Sequence, residues 1–487
     1  MDSGISFNLP VQVQTILDIL SENKRQGYIV GGCVRDTVMG VTPNDWDFAT
    51  DAHTDEIIRV FSEKGFRVIP TGVKHGTVTV LIKSKGYEIT TFRTDGEYSD
   101  YRHPDSVDFV KNIEQDLSRR DFTINAMAYN PKNGLIDPFN GLSDLMHNDF
   151  LRTVGDPERR ISEDPLRMMR AVRFSVRFSK KFSPELEKAV SKRAYLIEKI
   201  SRERVNDEFV KILLCQYGAD GVRLLSDTGL MAYICPAFIR LKGLRQIDRY
   251  HGGEDVYTHT LRVIDYTYPK KTIRLAAFLH DIGKYDTLSS DGMRTRFIGH
   301  EKISAEKARE FMNSMRFSGK DTCDVANLIE NHMLLKDYDT SKSENDKKAY
   351  LRKVIVKVGC ENMRDFVQLC FADEKATPSC NMQKYEKYEE IIGLFEQIRN
   401  EKISEGEVQV WADRFSVIVK EMLLNKNLLV DETLSWVKEN YNKIPMHIVS
   451  GSDQRELRSV CEHHNINQYF RDINGSPTPK KQLVAGL

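Results

Sequence analysis

The spacing of apolar residues changes along the chain, and this change constrains the fold more than any other sequence feature. Before about Pro157, strand-like runs such as YIVGG, GTVTVLI and YEITTF alternate with helical segments. After it, apolar residues recur every three to four positions, with few strand patterns until about residue 440. The segment KIPMHIVSGSDQRELRSVCEHHN then returns to strand, turn and helix. We therefore predict a multi-domain α+β protein with a mixed-sheet first domain, a mostly α-helical middle and a partial α/β segment at the end.

The length of 487 residues is too great for one ordinary hydrophobic core. The pair Gly252-Gly253 and the run Thr377-Pro378-Ser379 mark breaks within the helical middle. We therefore predict four domains: residues 1–155, the mixed-sheet domain; 156–245 and 246–385, two helical domains; and 386–487, the partial α/β segment.

Composition places few limits on function. The chain has 71 Lys and Arg residues and 71 Asp and Glu residues, so a nucleic-acid partner would need a local basic face. Its eight cysteines form no CxxC pair, which favours reduced thiols over disulfides or zinc knuckles. The sequence shows no secretory signal and no apolar run of membrane-spanning length. We expect a soluble cytoplasmic protein without membrane contact.

The segment GGCVRDTVMGVTPNDWDFAT, residues 31–50, combines features of a phosphate site. Gly31 and Gly32 follow a predicted strand, where the missing side chains let the backbone approach a phosphate closely. Arg35 can add a charge-assisted contact to the same anion. These residues indicate that the segment binds a phosphorylated ligand.

Two acidic residues in the same segment predict a metal site. Asp45 and Asp47 alternate in an apparent strand, so both side chains are expected on one face. Carboxylate oxygens suit Mg²⁺, and two such ions can clamp the attacking and leaving oxygens of phosphoryl transfer. Glu88, in the strand-like run KGYEITTFR, is our candidate for a third acid. The alternative for an isolated pair of this kind is a solvated turn.

A second charged pattern follows near residue 163. On a helix predicted to begin near Glu163, every third position is charged and the side chains share one face: Asp164, Arg167, Arg170 and Arg173. The alternative is a solvated face, but arginines without interleaved acids repel one another unless an anion lies among them. Asp164 can accept from the exocyclic amine of cytosine or adenine while Arg167 donates to ring acceptors, a pattern that uracil and guanine do not match.

The second helical domain contains an ordered set of metal-ligand residue types: His259, His280, Asp281, His300, His332 and Asp373. A lone histidine on an apolar helix is more often a core residue than a ligand. Imidazoles and carboxylates together, however, suit a transition metal or Mg²⁺ that activates water against a phosphate ester. The pattern therefore predicts a metal site near the helix LAAFLHDIGK.

The first half of the chain resembles the class II tRNA nucleotidyltransferases, or CCA-adding enzymes, and the related bacterial poly(A) polymerases of the polymerase-β-like superfamily. GGCVRD with DWDFAT resembles the motif of the nucleotidyltransferase head. RRDFTINAMAYN at 119–130 resembles the ribose-recognition motif, DPFNGLSDL at 137–145 the hinge motif, and EDPLRMMRAVRF at 163–174 the base-reading motif. The motifs occur in the family's order. The run TDGEYSDYRHPDSV, residues 94–107, resembles the family's flexible loop, although an ordinary hairpin connection is an equal alternative.

This resemblance implies a template-independent enzyme that adds CCA to the 3′ end of tRNA from CTP and ATP. The implied catalytic residues are Asp45, Asp47 and Glu88, with Mg²⁺ bound by Asp45 and Asp47. The implied nucleotide-binding residues are Gly31, Gly32, Arg35, Asp36, Arg119, Arg120, Asp121, Asp164, Arg167, Arg170 and Arg173. The helical segment 175–245 is expected to contact the tRNA through its Lys and Arg residues.

Two further resemblances concern the rest of the chain. The order THTLRVID, HDIGK, GHEKISAEKA, ENHM and ADEKAT resembles that of HD-domain phosphohydrolases, which implies a divalent metal (Mn, Ni, Fe or Mg) on the ligands above and a role in trimming or repairing RNA ends. The last 75 residues or so resemble part of a haloacid-dehalogenase-type phosphatase, with Ser450 and Lys480 or Lys481 at its phosphate motifs. A DxDGT-like nucleophile motif is missing from the sequence, so we predict no catalysis there.

The sequence leaves three alternatives open: a poly(A) polymerase, an HD-domain phosphohydrolase whose head only binds nucleotide, and an RNA-binding module with decayed chemistry. It does not indicate an oligomeric state, nor does it separate addition of CCA from addition of C or A alone.

Overall fold

The computed structural model describes residues 7–98, 100–101, 104–247, 252–290, 294–378, 382–400 and 431–476. Contacts divide the chain into two compact units, Met1–Glu396 and Gln397–Leu487. The first unit contains a mixed sheet followed by helices, which confirms the predicted fold class. The boundaries between the four predicted domains stay a prediction.

A seven-stranded sheet organises the first domain. Its order is β3-β4-β5-β2-β1-β8-β9, and β2 with β5 is its parallel pair. The remaining two strands, β6 and β7, form a separate antiparallel hairpin at the ends of the run 94–107. The strands are β1 Gly27–Val30, β2 Asp47–Thr50, β3 Arg67–Gly72, β4 Thr77–Ile82, β5 Lys85–Thr91, β6 Arg93–Asp95, β7 Val107–Phe109, β8 Ala128–Asn130 and β9 Gly134–Ile136.

Apolar side chains from the central strands form the core of this domain. Tyr28 and Val30 of β1 pack with Ala49 of β2 and with Phe92, which is fully buried. This core fixes β1 and β2 side by side, so that their ends carry residues 31 and 47 to one region. The helices are α1 Val11–Glu22, α2 Gly32–Val38, α3 Thr54–Glu63, α4 Ile113–Ser118 and α5 Gly141–Met146, with 3₁₀ turns at Val73–His75 and Thr123–Asn125.

The first helical region corrects one prediction. A single helix does not begin near Glu163: α6 ends there, and α7 begins at Leu166. Asp164 lies between them with φ −142° and ψ 100°, because the residue before a proline is disfavoured in helical conformation. The elements are β10 Phe150–Leu151, α6 Pro157–Glu163, α7 Leu166–Arg177, β11 Lys181–Phe182, α8 Pro184–Arg193, a 3₁₀ helix Ala194–Lys199, α9 Arg202–Leu213, α10 Gly218–Asp227, α11 Met231–Ile234 and α12 Pro236–Ile239.

The second helical region packs around α14, whose residues from Ile273 to Leu279 are all buried. His280 and Asp281 do not lie inside this helix as predicted: His280 caps its C-terminus and Asp281 follows in a turn. The elements are α13 Val256–Tyr266, α14 Lys271–Leu279, β12 Ser289–Ser290, β13 Thr295–Arg296, α15 His300–Ser314, α16 Gly319–Asn331, a 3₁₀ helix Leu334–Asp337, α17 Glu344–Val358, α18 Met363–Lys375 and α19 Met382–Asn400.

The second unit contains the predicted strand and helix near its end. The parallel strands β14 and β15 are joined through a helix, which gives a strand–helix–strand arrangement. The elements are α20 Asp431–Asn440, β14 His447–Asp453, α21 Gln454–His463, a 3₁₀ turn Asn467–Tyr469 and β15 Asp472–Ser476. Lys480, Lys481 and the segment WADRFSVIVKEMLL lie outside the described residues.

Two predictions drawn from composition can be compared with the described residues. Seven cysteines lie in the described part of the chain, and each is a free thiol. None of the described helices has the length and apolar character that crossing a membrane requires.

Candidate active site and candidate metal centre

Three acidic residues come together at the edge of β2. Asp47 and Glu88 are direct partners in the parallel register of β2 and β5. Asp45 lies before the strand rather than in it, which corrects the prediction, but buried Trp46 still separates two exposed acids. Partial desolvation raises the pKa of Asp47, and the charges of Glu88 and Asp45 raise it further, although Arg120 lowers it. The negative charges of Asp45 and Glu88 therefore act on Asp47.

One glycine of the Gly-Gly pair is required by geometry. Gly31 has φ +77°, and a Cβ at this position would lie 2.6 Å from Nη1 of Arg120. Gly32 is the first residue of α2, and a Cβ at this position would lie 3.6 Å from Nη2 of Arg35, which is an ordinary van der Waals contact. Gly31 therefore lets the Arg120 guanidinium approach the end of β1, whereas Gly32 has room for a side chain.

A cavity of about 280 Å³ lies beside these residues. Seven of the predicted nucleotide-binding residues and the predicted catalytic residue Asp47 line it, together with Asn125 and Phe174, which the sequence did not single out. Asp36, Asp45, Glu88, Arg119, Asp164 and Arg167 do not line it. The lining residues are Gly31, Gly32, Arg35, Asp47, Arg120, Asp121, Asn125, Arg170, Arg173 and Phe174.

Arg35 is buried and already engaged by the protein. Its Nη2 donates to Oδ1 of Asp36 at 2.8 Å, and Nη1 donates to the side-chain oxygen of Asn125. Asp36 also accepts from Nη2 of Arg177 at 3.2 Å. Because these partners engage its guanidinium, Arg35 mainly supports the wall of the cavity, and Asp36 joins the first domain to α7 through Arg177.

Asp121 forms an ion pair with Arg170 in the cavity. Both Nε and Nη2 of Arg170 reach its Oδ2, at 2.7 Å and 2.6 Å, and Asn125 donates to its Oδ1 at 3.0 Å. Burial by itself would raise the pKa of Asp121, but Arg170 and Asn125 outweigh it and hold the pKa well below its ordinary range. Asp121 is therefore a permanent anion that orients Arg170.

The arginines of α7 each have a carboxylate partner from another element. Arg167 pairs with Glu163 at 2.6 Å, and Arg173 pairs with Glu208 of α9, also at 2.6 Å. The anions that offset the repulsion among these arginines are therefore protein carboxylates, and the spacing alone does not require a bound anion. Phe174 adds a further contact, since the Arg173 guanidinium lies 4.3 Å from the centre of its ring.

Asp164 and Arg119 lie beside the cavity with other partners. Oδ2 of Asp164 accepts from Nη2 of Arg204 at 3.0 Å, and Oδ1 accepts from the Leu166 backbone N–H at 3.1 Å. Arg119 lies between Asp116, at 3.0 Å, and Asp95 of β6, at 3.6 Å. Arg119 thus connects the β6–β7 hairpin to the RRD motif.

The six predicted ligands of the second helical region come together in two groups, each with two imidazoles and one carboxylate. All six residues are buried, and the ligand atoms within each group lie within 4.8 Å of one another. The first ligand group is His259, His280 and Asp373; the second ligand group is Asp281, His300 and His332.

Backbone carbonyls orient three of these imidazoles. Nδ1 of His280 lies 2.9 Å from the Ala277 oxygen, and Nδ1 of His332 lies 2.6 Å from the Ile329 oxygen. His300 makes the same contact to the Phe297 oxygen at 2.8 Å. A carbonyl oxygen can only accept, so each Nδ1 donates and each Nε2 carries the lone pair that a metal requires.

Two buried ligand atoms lack hydrogen-bond partners, and such atoms indicate whether a cation fits this centre. Nε2 of His280 and Oδ1 of Asp281 are buried and have no hydrogen-bond partner among the described residues. Burial lowers the pKa of His300 to about 4, so its imidazole is neutral at neutral pH. Burial lowers the pKa of His280, but Asp281 and Asp373 outweigh it and raise that pKa to about 9, so a cation bound at Nε2 of His280 would displace a proton. Imidazoles with carboxylates form a donor set that fits a divalent transition metal or Mg²⁺.

Four residues near these sites were not predicted from the sequence, where they carry only weak signals. Asn125 lies four residues after Asp121 in RRDFTINA, and Phe174 ends EDPLRMMRAVRF, both inside motifs already quoted. Near the metal centre, Lys284 contacts Asp281 at 2.8 Å and Lys336 contacts Asp373 at 3.4 Å. Lys284 lies in the motif HDIGK and could have been noticed there, whereas no sequence pattern connects Lys336 to Asp373.

Three family descriptions match parts of the chain. Residues 27–150 match the Poly A polymerase head domain. Residues 181–241 match the probable RNA and SrmB-binding site of polymerase A, and residues 256–360 match the HD domain. The first and third of these ranges contain the candidate active site's strands and most of the candidate metal centre.

Several known proteins are similar to the chain. A CCA-adding enzyme of Levilactobacillus brevis is 39% identical over 288 residues, which cover 58% of this chain and 71% of that protein. A CCA-adding enzyme of Ligilactobacillus salivarius is 47% identical over 234 residues, 47% of this chain and 56% of that protein. The chain thus spans little more than half the length of this second relative.

A solved structure resembles the chain over a longer stretch. The crystal structure of the Bacillus stearothermophilus CCA-adding enzyme in complex with CTP matches with a TM-score of 0.59 and 27% identity. The match covers 83% of this chain and 89% of that chain.

Proposed function

The chain belongs to the CCA-adding enzyme family, and we propose that it adds C, C and A to the 3′ end of tRNA from CTP and ATP without a nucleic-acid template. One observation carries this proposal: Asp47 and Glu88 are register partners on parallel strands, next to a cavity where Gly31 and Arg120 meet. A carboxylate cluster beside an arginine-lined cavity suits a nucleoside triphosphate with its metal ions.

The proposed chemistry is attack of the tRNA 3′-hydroxyl on the α-phosphate of the nucleotide, with pyrophosphate leaving. Asp45 and Asp47, with Glu88 as a third acid, would hold Mg²⁺, which neutralises phosphate charge when bound. Their carboxylate donor set fits Mg²⁺, and Arg120 in the cavity supplies a fixed positive charge for the phosphates. Arg170, held by Asp121, would orient the nucleotide from the α7 side.

Base selection is proposed for Asp164 and Arg167. Asp164 lies at the break before α7 and holds Arg204, while Arg167 holds Glu163. A nucleotide base that replaced these partners would meet one acceptor and one donor side by side. Cytosine and adenine fit this pair through their exocyclic amines, whereas uracil and guanine do not.

The tRNA is proposed to contact the first helical region. Residues 181–241 match a probable RNA-binding site, and α8 and α9 carry Lys192, Arg193 and Arg204. Lys192 and Arg193 pair with the partly exposed Glu158, and surface pairs of this kind exchange partners at little cost in free energy. A phosphate backbone can therefore take the place of Glu158.

The test uses a tRNA transcript that lacks its terminal CCA, with Mg²⁺ and each labelled triphosphate singly and together. We expect two additions from CTP and a third only when ATP is present. Long tails from ATP alone would establish a poly(A) polymerase instead. Absence of incorporation would contradict the proposal and leave the first domain as a nucleotide-binding or RNA-binding module.

A second activity, hydrolysis of phosphate esters, is proposed for the HD domain. The observation that favours it is the convergence of all six predicted ligands in two adjacent groups, with Asp281 Oδ2 3.2 Å from His280 and Oδ1 3.4 Å from His300. Mn, Ni, Fe or Mg would suit these donors. Release of phosphate from RNA 3′-ends by the wild type, lost in Asp281→Ala while CCA addition continues, would support it.

The remaining sequence predictions concern organisation. We propose the four domains 1–155, 156–245, 246–385 and 386–487, and the match of the HD domain to residues 256–360 supports the third. We also propose that the last domain is a haloacid-dehalogenase-like fragment without catalysis, which the strand–helix–strand arrangement of β14, α21 and β15 supports. Limited proteolysis with mass analysis of the fragments would locate these boundaries.

A further inference from the structure

The helix α9, Arg202–Leu213, has two opposite faces that contact different regions of the molecule. At 3.6 residues per turn, Arg204 and Glu208 share one face, whereas Asn206 and Phe209 lie about 150° away around the helix axis. Glu208, Asn206 and Phe209 are all buried, so α9 is packed on both of these faces. The position of α9 therefore depends on contacts from both regions.

The first face of α9 holds two residues of the candidate active site. Nη2 of Arg204 donates to Oδ2 of Asp164 at 3.0 Å, and Oε2 of Glu208 accepts from Nε of Arg173 at 2.6 Å. Asp164 is the residue proposed to read the base, and Arg173 lines the cavity. Both contacts are charge-assisted hydrogen bonds, which depend on distance and angle. The position of α9 therefore determines where Asp164 and Arg173 are held.

The opposite face of α9 packs on the second helical region. The Phe209 ring centre lies 5.1 Å from that of Phe278 in α14 and 6.1 Å from that of Phe311 in α15, and both contacts are edge-to-face. Nδ2 of Asn206 donates to the carbonyl oxygen of Met315, at the end of α15, at 3.0 Å. All three partners lie in the part of the chain that matches the HD domain. The HD domain therefore supports α9 on the face opposite to the candidate active site.

The contact of Asn206 is directional, unlike the ring contacts of Phe209. It satisfies the Met315 carbonyl at a helix end, where a partner within the helix is lacking. Oδ1 of Asn206, however, is buried and has no hydrogen-bond partner within the described part of the chain. An unpaired buried amide oxygen costs free energy, which an apolar side chain of similar size would avoid. What Asn206 provides is the register of α9 against the end of α15.

We propose that Asn206, Phe209 and Phe311 are positioning residues for nucleotide selection. Through α9, the HD domain supports Asp164 and Arg173, whatever chemistry it performs itself. The inference rests on the proposed function of Asp164 in base selection. Because protein interiors are close-packed, displacing one face of a buried helix also displaces the other. Loss of one contact behind α9 should therefore reduce the preference for CTP over UTP by about threefold, a part of the effect of losing the base contact altogether.

The test compares kcat/KM for CTP with kcat/KM for UTP on a tRNA transcript that lacks its terminal CCA. Asn206→Leu removes the bond to Met315 at nearly constant side-chain volume, and Phe311→Leu removes the ring that contacts Phe209. Each variant should lose about threefold in the preference for CTP. Phe366→Leu is the matched control, since Phe366 of α18 is fully buried in the second helical region, and it should keep the wild-type preference.

A double-mutant cycle separates positioning from loss of stability. Combined with Asp164→Ala, Asn206→Leu should cause little further loss of preference, because the group that it positions is absent. Urea unfolding of each single variant is measured in parallel, and the loss of preference should not follow the unfolding midpoint. A wild-type preference in both Asn206→Leu and Phe311→Leu would overturn the inference and leave the proposed function standing. An equal loss in Phe366→Leu, or a full additional loss in the double variant, would do the same.

Two further outcomes concern the proposed function itself. An unchanged preference in Asp164→Ala would remove Asp164 from base selection, and absence of incorporation by the wild type would overturn the proposed nucleotidyltransferase. Either result would also overturn this inference, because positioning residues require a selecting group to position.

Discussion

The candidate active site and the candidate metal centre organise their charges in opposite ways. In the first, exposed acids lie beside a cavity whose arginines each have a protein carboxylate as partner, such as Asp121 for Arg170 and Glu208 for Arg173. In the second, the ligands are buried, and one polar atom each of His280 and Asp281 has no hydrogen-bond partner among the described residues. A site for exchanging substrates needs cations that can change partners, whereas a site for a resident ion needs a rigid set of free lone pairs.

The largest expected effect is on nucleotide incorporation, and it should occur in variants of the candidate active site but not in variants of the candidate metal centre. Asp47→Ala should reduce nucleotide incorporation by about a thousandfold or more, because it removes a charge that stabilises the transition state. Asp281→Ala should leave incorporation within about twofold and abolish metal binding by the HD domain. Gel analysis of extended tRNA and metal analysis provide the two measurements.

Asp55→Ala, at an exposed position of α3, is the control for Asp47→Ala and should incorporate nucleotide like the wild type. Full incorporation by Asp47→Ala would show that the acid cluster is not catalytic.

The next expected effect is on the free energy of unfolding, and it concerns the ion pair between Asp121 and Arg170 in the candidate active site. Asp121→Asn leaves the partly buried Arg170 without its charged partner and should lower the free energy of unfolding by about 2 kcal/mol at pH 7. The pKa of Asp121 is depressed in the folded protein, so this contribution is fully present above the unfolded pKa of about 4 and is lost as pH falls further. Urea unfolding at pH 7 and at about pH 3 should therefore show a smaller difference at the lower pH.

Asp220→Asn provides a comparison, because the Asp220–Arg223 pair is more than half exposed on both sides and should change stability little. If the loss of unfolding free energy in Asp121→Asn is the same at the two pH values, the depressed pKa assigned to Asp121 is contradicted.

The glycine pair should respond unequally to the same substitution. Gly31→Ala forces a side chain onto a backbone with φ +77° and against Arg120, and should cost about 2 kcal/mol of unfolding free energy together with part of the activity. Gly32→Ala has room and a helical position, so it should be neutral or slightly stabilising. Equal losses in the two variants would show that close approach of Arg120 is not what requires Gly31.

The smallest expected effect is on base selection. Asp164→Ala should reduce the preference for CTP and ATP over UTP and GTP by about tenfold, the value of one lost base contact. Misincorporation with single triphosphates measures this preference. Asp207→Ala, exposed on α9, is the control and should keep the wild-type preference. An unchanged preference in Asp164→Ala would remove Asp164 from base reading and leave it as the partner of Arg204.

Prediction from the sequence succeeded where a short motif forms a local structure. The pairing of Asp47 with Glu88 was expected from two strand-like runs, and the register of β2 and β5 places them side by side. The approach of His259 to Asp373 was expected only as a family pattern, since 114 positions separate them. The prediction failed for the helix near Glu163, where Pro165 breaks the periodicity that the charges suggested.

The sequence by itself determined the mixed sheet followed by helices, and it predicted the three acids and the six candidate ligands, because periodicity, turn residues and side-chain chemistry are local properties. Only the tertiary structure decided which charges meet. It paired Arg170 with Asp121 and Arg173 with Glu208, and it placed Lys336 against Asp373. Electrostatic interactions depend on distance and burial, and both are set by the packing of elements that are remote in sequence.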